Sequence, residues 1–208
     1  MPESWRDALL AAIPKGKGLL TDPGSWRGIA KKSCCYKLLA SLLTSRLSFF
    51  LEATGVLPPE QHGFRAGRST ATACRVLLEK IESVVQAGRH LQAGRHLYAV
   101  FVDFRSAFDM GPRNIILDKL NAAGVPQNTL LLISLMLQAN RITIQDGVAE
   151  LPPFLQTTGV AQGDNLSPLL FSVLLSDLPE RVAGCSVSLR PDILLYADDL
   201  VIFGTSRF

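Results

Sequence analysis

Apolar residues recur every three or four positions between Lys32 and Thr54, at Tyr36, Leu39, Ala40, Leu43, Leu47, Phe50 and Leu51. That spacing predicts an amphipathic helix. Ser33 stands where a cap is needed, and Gly55 with Pro58-Pro59 ends the pattern. A polar, glycine-punctuated loop, EQHGFRAGRST, follows. A second helix is expected from a cap at Ser69 or Thr70 through Val85, stopping near Gly88. The hexapeptide QAGRHL then occurs twice, at 86–91 and 92–97. The tandem is too short for a solenoid. It reads as a basic loop insertion in which His90 and His96 are solvated.

The pattern changes at 97–102, a nearly continuous apolar run expected as a central strand. Pro112 opens a helix to about Ala123, and TLLLISLMLQA forms another. RITIQDGVAELPPFLQTTGV reads as two strands around an Asp146-Gly147 turn. Ser167 and Pro168 launch an apolar helix that ends before Pro179, and ILLYADDLVIFG is a hairpin around Asp198-Asp199. Helices first, then strands interleaved with helices, predict an α+β fold with a mainly antiparallel sheet.

Composition sharpens this only modestly. With 48% hydrophobic residues in 208, the chain can bury a sizeable core. Up to residue 105 there are 15 Lys and Arg against 8 Asp and Glu; beyond it there are 6 against 10. Such a skew fits a protein that guides a polyanion with one part and gathers metal with the other. Ordinary charge scatter fits it as well. Cys34, Cys35, Cys74 and Cys185 lack zinc or disulfide spacing, so a reducing, intracellular setting is expected, nucleus or cytoplasm alike. No apolar run approaches the roughly 20 residues of a membrane span, and MPESWRDALL lacks a secretion-signal core. No membrane partner is expected.

The candidate chemistry lies in three acids. Asp103 ends the buried-looking strand LYAVFVD, and Asp198-Asp199 sits between two apolar runs. An ionised carboxylate in low-dielectric surroundings is costly without a cationic partner, and a divalent metal is the natural one. Two ions about 4 Å apart serve an in-line displacement at phosphorus. Asp103 and Asp198 are candidates to bridge both, with Asp199 beside them. Taken alone, the Asp198-Asp199 pair also suits an ordinary hairpin turn. Asp109 reads as a capping or structural acid.

FVDFRSAFD, GVAQGDNLSPLLF and YADD, in that order with GFRAGRST upstream, resemble the reverse transcriptase domains of non-LTR (LINE-type) retrotransposons. SWRGIAKKSCCYKLLASLLTSRL is similar to that family's opening block, so the resemblance covers nearly all of the chain. It implies a polymerase palm at 97–208, incomplete at its C-terminal side, and a helical fingers-like region at 1–96. It implies an RNA-directed DNA polymerase that uses two Mg²⁺ ions, with Mn²⁺ able to substitute. The partners implied are an RNA template, a DNA primer and deoxynucleoside triphosphates.

The same resemblance assigns roles residue by residue. Asp103, Asp198 and Asp199 match the metal-binding and catalytic aspartates. Phe108 matches the bulky residue under the incoming sugar, where a ring would exclude a ribose 2′-OH; core packing suits it too. Gln162 and Gly163 match the pocket-lining QG pair, and the N–H groups of Ser106 and Ala107 would hold the triphosphate as a nest. Arg27 matches a triphosphate contact and Arg65 and Arg68 template contacts, though either role competes with a surface ion pair. Departures are Asn165 where the family has proline after GD, and Ser106 where it has lysine. The chain is expected to stop before the later palm strands, primer grip and thumb, and to hold no endonuclease or RNase H. The rival reading is an inactive truncated relic that at most binds nucleic acid. The QAGRHL duplication favours the relic, and survival of the three aspartates, Gln162 and Phe108 opposes it.

Overall fold

The computed structural model describes residues 1–16, 18–91, 95–138, 140–146, 149–184 and 191–207. In chain order the elements are β1 (Asp7–Pro14), β2 (Trp26–Lys31), α1 (Cys34–Ala53), α2 (Thr70–Leu91), β3 (Arg95–Asp103), α3 (Ala107–Met110), α4 (Arg113–Ala122), α5 (Gln127–Leu137), β4 (Asn140–Asp146), β5 (Ala149–Glu150), β6 (Phe154–Gln156), α6 (Ser167–Leu174), α7 (Leu178–Gly184), β7 (Asp192–Tyr196) and β8 (Asp199–Arg207). Short 3₁₀ turns precede β1 and β2. The mixture is α+β, and all strand pairs but β1 with β4 are antiparallel.

The elements fall into two compact units interleaved in sequence, Met1–Thr54 with Ser106–Leu174, and Gly55–Arg105 with Leu175–Phe208. In the first unit the sheet order is β2-β1-β4-β5, with β6 also on β4. Ala8, Ala30, Ile142 and Ala161, joined by Leu10, form a small core against it. The periodicity of α1 is realised as read: Tyr36, Ala40, Leu43, Leu47 and Leu51 are buried, and the Ser33 hydroxyl accepts from the Tyr36 N–H. Helix α4 packs on α5 and α6, where Ile116, Leu120, Ile133, Leu170 and Val173 are buried. Burying each such side chain contributes about 1.5–3 kcal/mol.

In the second unit β8 lies between β3 and β7, so β3, expected as a central buried strand, is an edge strand among the described residues, with Tyr98, Val100 and Phe101 exposed. Ala73 and Leu77 of α2 pack with Leu97, Leu194 and Phe203. Leu178 and Val182 of α7 pack with Ile193, Leu195 and Leu200. Strand alternation explains the division, since residues 194 and 195 must face opposite sides.

Several expectations are corrected. The chain opens with a β-hairpin, not with helices. DALLAAIP has the composition of a helix, but its pairing with β2 and β4 overrides local propensity. Helix α2 runs past Gly88 to Leu91, because an interior glycine costs only about 1 kcal/mol. The first QAGRHL copy therefore ends a helix and the end of the second begins β3, so the repeat is not a loop insertion. Its residues 92–94 lie outside the described residues, as do Gly147 of the expected Asp146-Gly147 turn and Cys185. His96 lies on β3, exposed, with its ring 6.4 Å from Tyr98. The helix from Ser167 does end before Pro179, at Leu174, and Pro179 sits in the first turn of α7. Helix α1, with 20 residues and a mean hydropathy of 1.2, does reach the length and composition of a membrane span. One stripe of it, Tyr36, Ala40, Leu43, Leu47 and Leu51, is buried, while Leu38, Leu42 and Phe49 are exposed.

Candidate active site

The last apolar residues of β3 and the first of β8 bring two acids to one place. Asp103 and Asp199 are register partners, and Asp199 also pairs with Tyr196 of β7. Cross-strand partners share a face of the sheet, with α-carbons about 4.5–5.5 Å apart. The turn between β7 and β8 is therefore Ala197-Asp198, with φ of 57° at Ala197. A positive φ at the first central residue alone is the mark of a type II′ turn, which normally takes glycine. Asp103 and Asp199 are exposed and Asp198 is half-buried. Like charges directly opposite in a sheet are destabilising. The pair is a local cost that a cation would remove.

The donor set suits a hard divalent ion: carboxylate oxygens only, with no sulfur or imidazole. Among the described residues no group of three His, Cys, Asp or Glu side chains is gathered closely enough to hold an ion. A magnesium ion needs only one or two carboxylates and takes water and substrate phosphate for the rest. The Asp103–Asp199 pair meets that need.

The arginines of GFRAGR are engaged locally. Arg65 donates to the carbonyls of Pro58 (2.5 Å) and Gln61 (3.2 Å). Arg68 donates to those of Pro59 and Gln61. Beside them His62, 8% exposed, pairs its Nδ1 with Thr72 Oγ1 at 2.9 Å. Burial, with Arg68 and Arg65 nearby, lowers its pKa from the ordinary value.

The other expected site residues belong to the first unit. Arg27 is exposed on β2, opposite Ile13 of β1. Gln162 is anchored through its carbonyl, which accepts from the Ala30 N–H at 2.9 Å. Gly163 has φ of 94°, and a Cβ there would sit 2.9 Å from Ile29 Cγ2, so this close approach requires glycine. A cavity of about 510 Å³ opens beside Gln162, lined also by Gly28, Asp109, Gln156 and Thr158. Phe108 stacks on the buried Phe171 ring at 4.8 Å, and its carbonyl accepts from Val160 N–H at 2.7 Å. Ser106 is left-handed (φ 52°, ψ 41°) and Ala107 begins α3. That alternation of hand is the geometry of an N–H nest.

Three groups escaped the sequence reading. Asp164, next to the QG pair, is buried and accepts from Tyr36 Oη (2.5 Å), Lys32 Nζ (3.2 Å) and the Leu166 N–H (3.1 Å). Burial pushes the Lys32 ammonium below its ordinary pKa, an effect Asp164 partly offsets; burial and then Asp164 push the Tyr36 phenol up. Lys32 precedes the Ser33 cap and Tyr36 lies in the first turn of α1, so both reach the one carboxylate from the start of that helix. Arg113 donates to four carbonyls, of Leu137, Gln156, Thr158 and Gly159. Gln61 is fully buried.

A mainly antiparallel sheet with packed helices, and acids at its strand ends, defines a polymerase palm. The model of the reverse transcriptase (RNA-dependent DNA polymerase) family matches residues 13–207, and the chain belongs to that family. It is 30% identical, over 99% of its length, to a probable RNA-directed DNA polymerase from transposon BS of Drosophila melanogaster. It is 30% identical over 97% to a retrovirus-related Pol polyprotein from the type-1 element R2 of Popillia japonica. The mobile element jockey of Drosophila melanogaster has an RNA-directed DNA polymerase that is 28% identical over 99% of the chain. The resemblance to non-LTR retrotransposon polymerases therefore holds. The chain spans 22%, 28% and 22% of these three proteins.

Among solved structures, apo telomerase from Candida tropicalis, truncated from its C-terminal domain, matches with a TM-score of 0.67 and 14% identity. The match covers 96% of this chain and 44% of that one. Telomerase from the same organism in complex with a fragment of telomeric RNA gives 0.69 at 12% identity, over 96% and 36% of the two chains. These likenesses carry the fold alone. Membership of the family carries a general dependence on divalent metal.

Proposed function

We propose that this chain is the fingers-and-palm part of an RNA-directed DNA polymerase, fingers-like over residues 1–96 and palm-like over 97–208. The observation that carries the reading is the direct opposition of Asp103 and Asp199 on neighbouring strands. In this reading the opposed Asp103 and Asp199, with Asp198 in the adjoining turn, would hold two Mg²⁺ ions, for which Mn²⁺ would substitute. When bound, the ions would supply activation of a primer 3′-OH and charge stabilisation for the leaving pyrophosphate.

The chain's own residues do the rest by position. Phe108, with its ring held flat on Phe171, presents a wall to the incoming sugar and excludes a 2′-hydroxyl. Gln162 and Gly163 line the nucleotide pocket on a loop tied to β2. The nest at Ser106 and Ala107, with the exposed Arg27, takes the triphosphate oxygens. Arg65 and Arg68 would contact the template backbone while bracing their own loop. RNA template, DNA primer and deoxynucleoside triphosphates are the substrates, and sequence is read by base pairing.

The test is primer extension on an RNA template with Mg²⁺ or Mn²⁺. Metal-dependent addition of deoxynucleotides that disappears in Asp103→Asn supports the reading. No extension, with weak salt-sensitive nucleic-acid binding retained, overturns it in favour of the relic.

A further inference from the structure

Gln61 lies in a loop that its sequence marks as polar and exposed, yet its side chain is 0% exposed. The loop lies along β7: Gln61 bridges Leu195 in parallel, His62 N–H donates to the Leu195 carbonyl at 2.7 Å, and Leu195 N–H donates to the Glu60 carbonyl at 2.9 Å. This pairing delivers the carboxamide to the turn that follows β7. Its Oε1 accepts from the N–H of Ala197 (3.0 Å) and of Gly63 (2.8 Å). Its Nε2 donates to the Ala197 carbonyl at 3.3 Å. Two N–H donors on one atom leave no ambiguity over which end of the amide is oxygen.

Both backbone groups of Ala197 are thus held by one buried side chain. Ala197 is also a residue at φ 57° in a turn that normally takes glycine. The next residue is Asp198, and the one after it stands opposite Asp103. Gly63 permits the contact, because a Cβ there would lie 2.2 Å from the Ala197 nitrogen.

We infer that Gln61 is a positioning residue of the catalytic turn: its carboxamide holds Ala197 in the left-handed conformation and so sets the direction of Asp198 and Asp199. The inference rests on the reading of those acids as the metal-binding set. Gln61 touches no reacting atom. Its effect passes through the hand of Ala197, so a glycine at 197, which adopts that hand without help, removes the need for it.

The experiment compares the 208-residue chain with Gln61→Met, Ala197→Gly, the double variant and Gly63→Ala. Amide exchange at residue 197 by NMR, Mn²⁺ affinity by paramagnetic relaxation, primer extension and thermal melting are measured on each. In Gln61→Met the amide at 197 is expected to exchange about tenfold faster or more. Mn²⁺ affinity is expected to fall about tenfold, and kcat to fall with the nucleotide KM unchanged. Adding Ala197→Gly restores metal affinity and kcat to within about threefold of the starting values. A merely structural role would lower the melting temperature with no rescue from Ala197→Gly, and that result overturns the inference. So does unchanged exchange and metal affinity in Gln61→Met. Should Gln61→Met fail to fold, Gly63→Ala decides, since it keeps the carboxamide and displaces Ala197: loss of Mn²⁺ affinity with a cooperative melt supports the inference, and unchanged affinity overturns it. Failure of the polymerase reading looks different. The unsubstituted chain would then neither bind Mn²⁺ nor extend a primer, while exchange at residue 197 would still report the hold of Gln61.

Discussion

Asp103 and Asp199 are direct cross-strand partners at the ends of β3 and β8, two carboxylates on one face of one sheet. The pairs next to them on the same strands are apolar, Val102 with Leu200 and Phe101 with Val201. Folding alone would favour an opposite charge or an apolar pair at 103 and 199. In the proposed reading the pair gives up some stability for a site that attracts cations.

Replacing one acid should separate the two properties. In Asp199→Asn, primer extension is expected to fall by roughly 10³-fold as metal stabilisation of the transition state is lost. Stability is expected to rise by about 0.2–1 kcal/mol as the like-charge pair disappears. Extension assays and urea unfolding on the same preparations check both. A variant that loses activity and stability together would count against the proposed trade.

The Lys32–Asp164 contact, with side chains 2% and 5% exposed, ties the residue after the QG pair to the β2–α1 junction. Removing only the acid strands a buried ammonium. Asp164→Asn is expected to cost about 3–5 kcal/mol, read from the urea midpoint. Tyr36→Phe, which deletes one hydrogen bond to the same carboxylate, should cost about 1–3 kcal/mol.

His62 makes stability depend on pH. Its pKa is lowered from 6.5 in the folded chain, so the unfolded chain takes up the proton first as pH falls. Its contribution is fully present above 6.5 and is lost as pH drops through the window below it. The melting temperature should decline between pH 7 and pH 5, and His62→Gln should flatten that decline. An unchanged slope in the variant would remove His62 from the account.

Phe108 has two jobs in this reading, a wall against ribose and a partner for Phe171. Phe108→Ala should raise ribonucleotide incorporation relative to deoxynucleotide. It should also destabilise the first unit by about 0.5–1.5 kcal/mol for the ring pair, in addition to lost burial. Unchanged discrimination alongside the stability loss would leave packing as its only role.

The local code was legible where the controlling interactions are local. The Ser33 cap, the stripe on α1 and the existence of a strand running into Asp103 depend on neighbours within a turn or a strand, and the structure shows each of them, though not the central, buried place expected of that strand. The acids and the QG pair were legible for the same reason, as short motifs in fixed order. The β1–β2 hairpin was not, because Asp7–Pro14 becomes a strand only by pairing with Trp26–Lys31 and Asn140–Asp146. Nor was the burial of Gln61, Lys32 and Asp164, each of which has a partner 128 or more residues away. The amino-acid order by itself determined which chemical groups this protein carries and where a locally capped element such as α1 begins. Only the tertiary structure decided that Asp103 faces Asp199 and that one carboxamide grips Ala197, because register and burial arise from pairings between distant segments that no local pattern encodes.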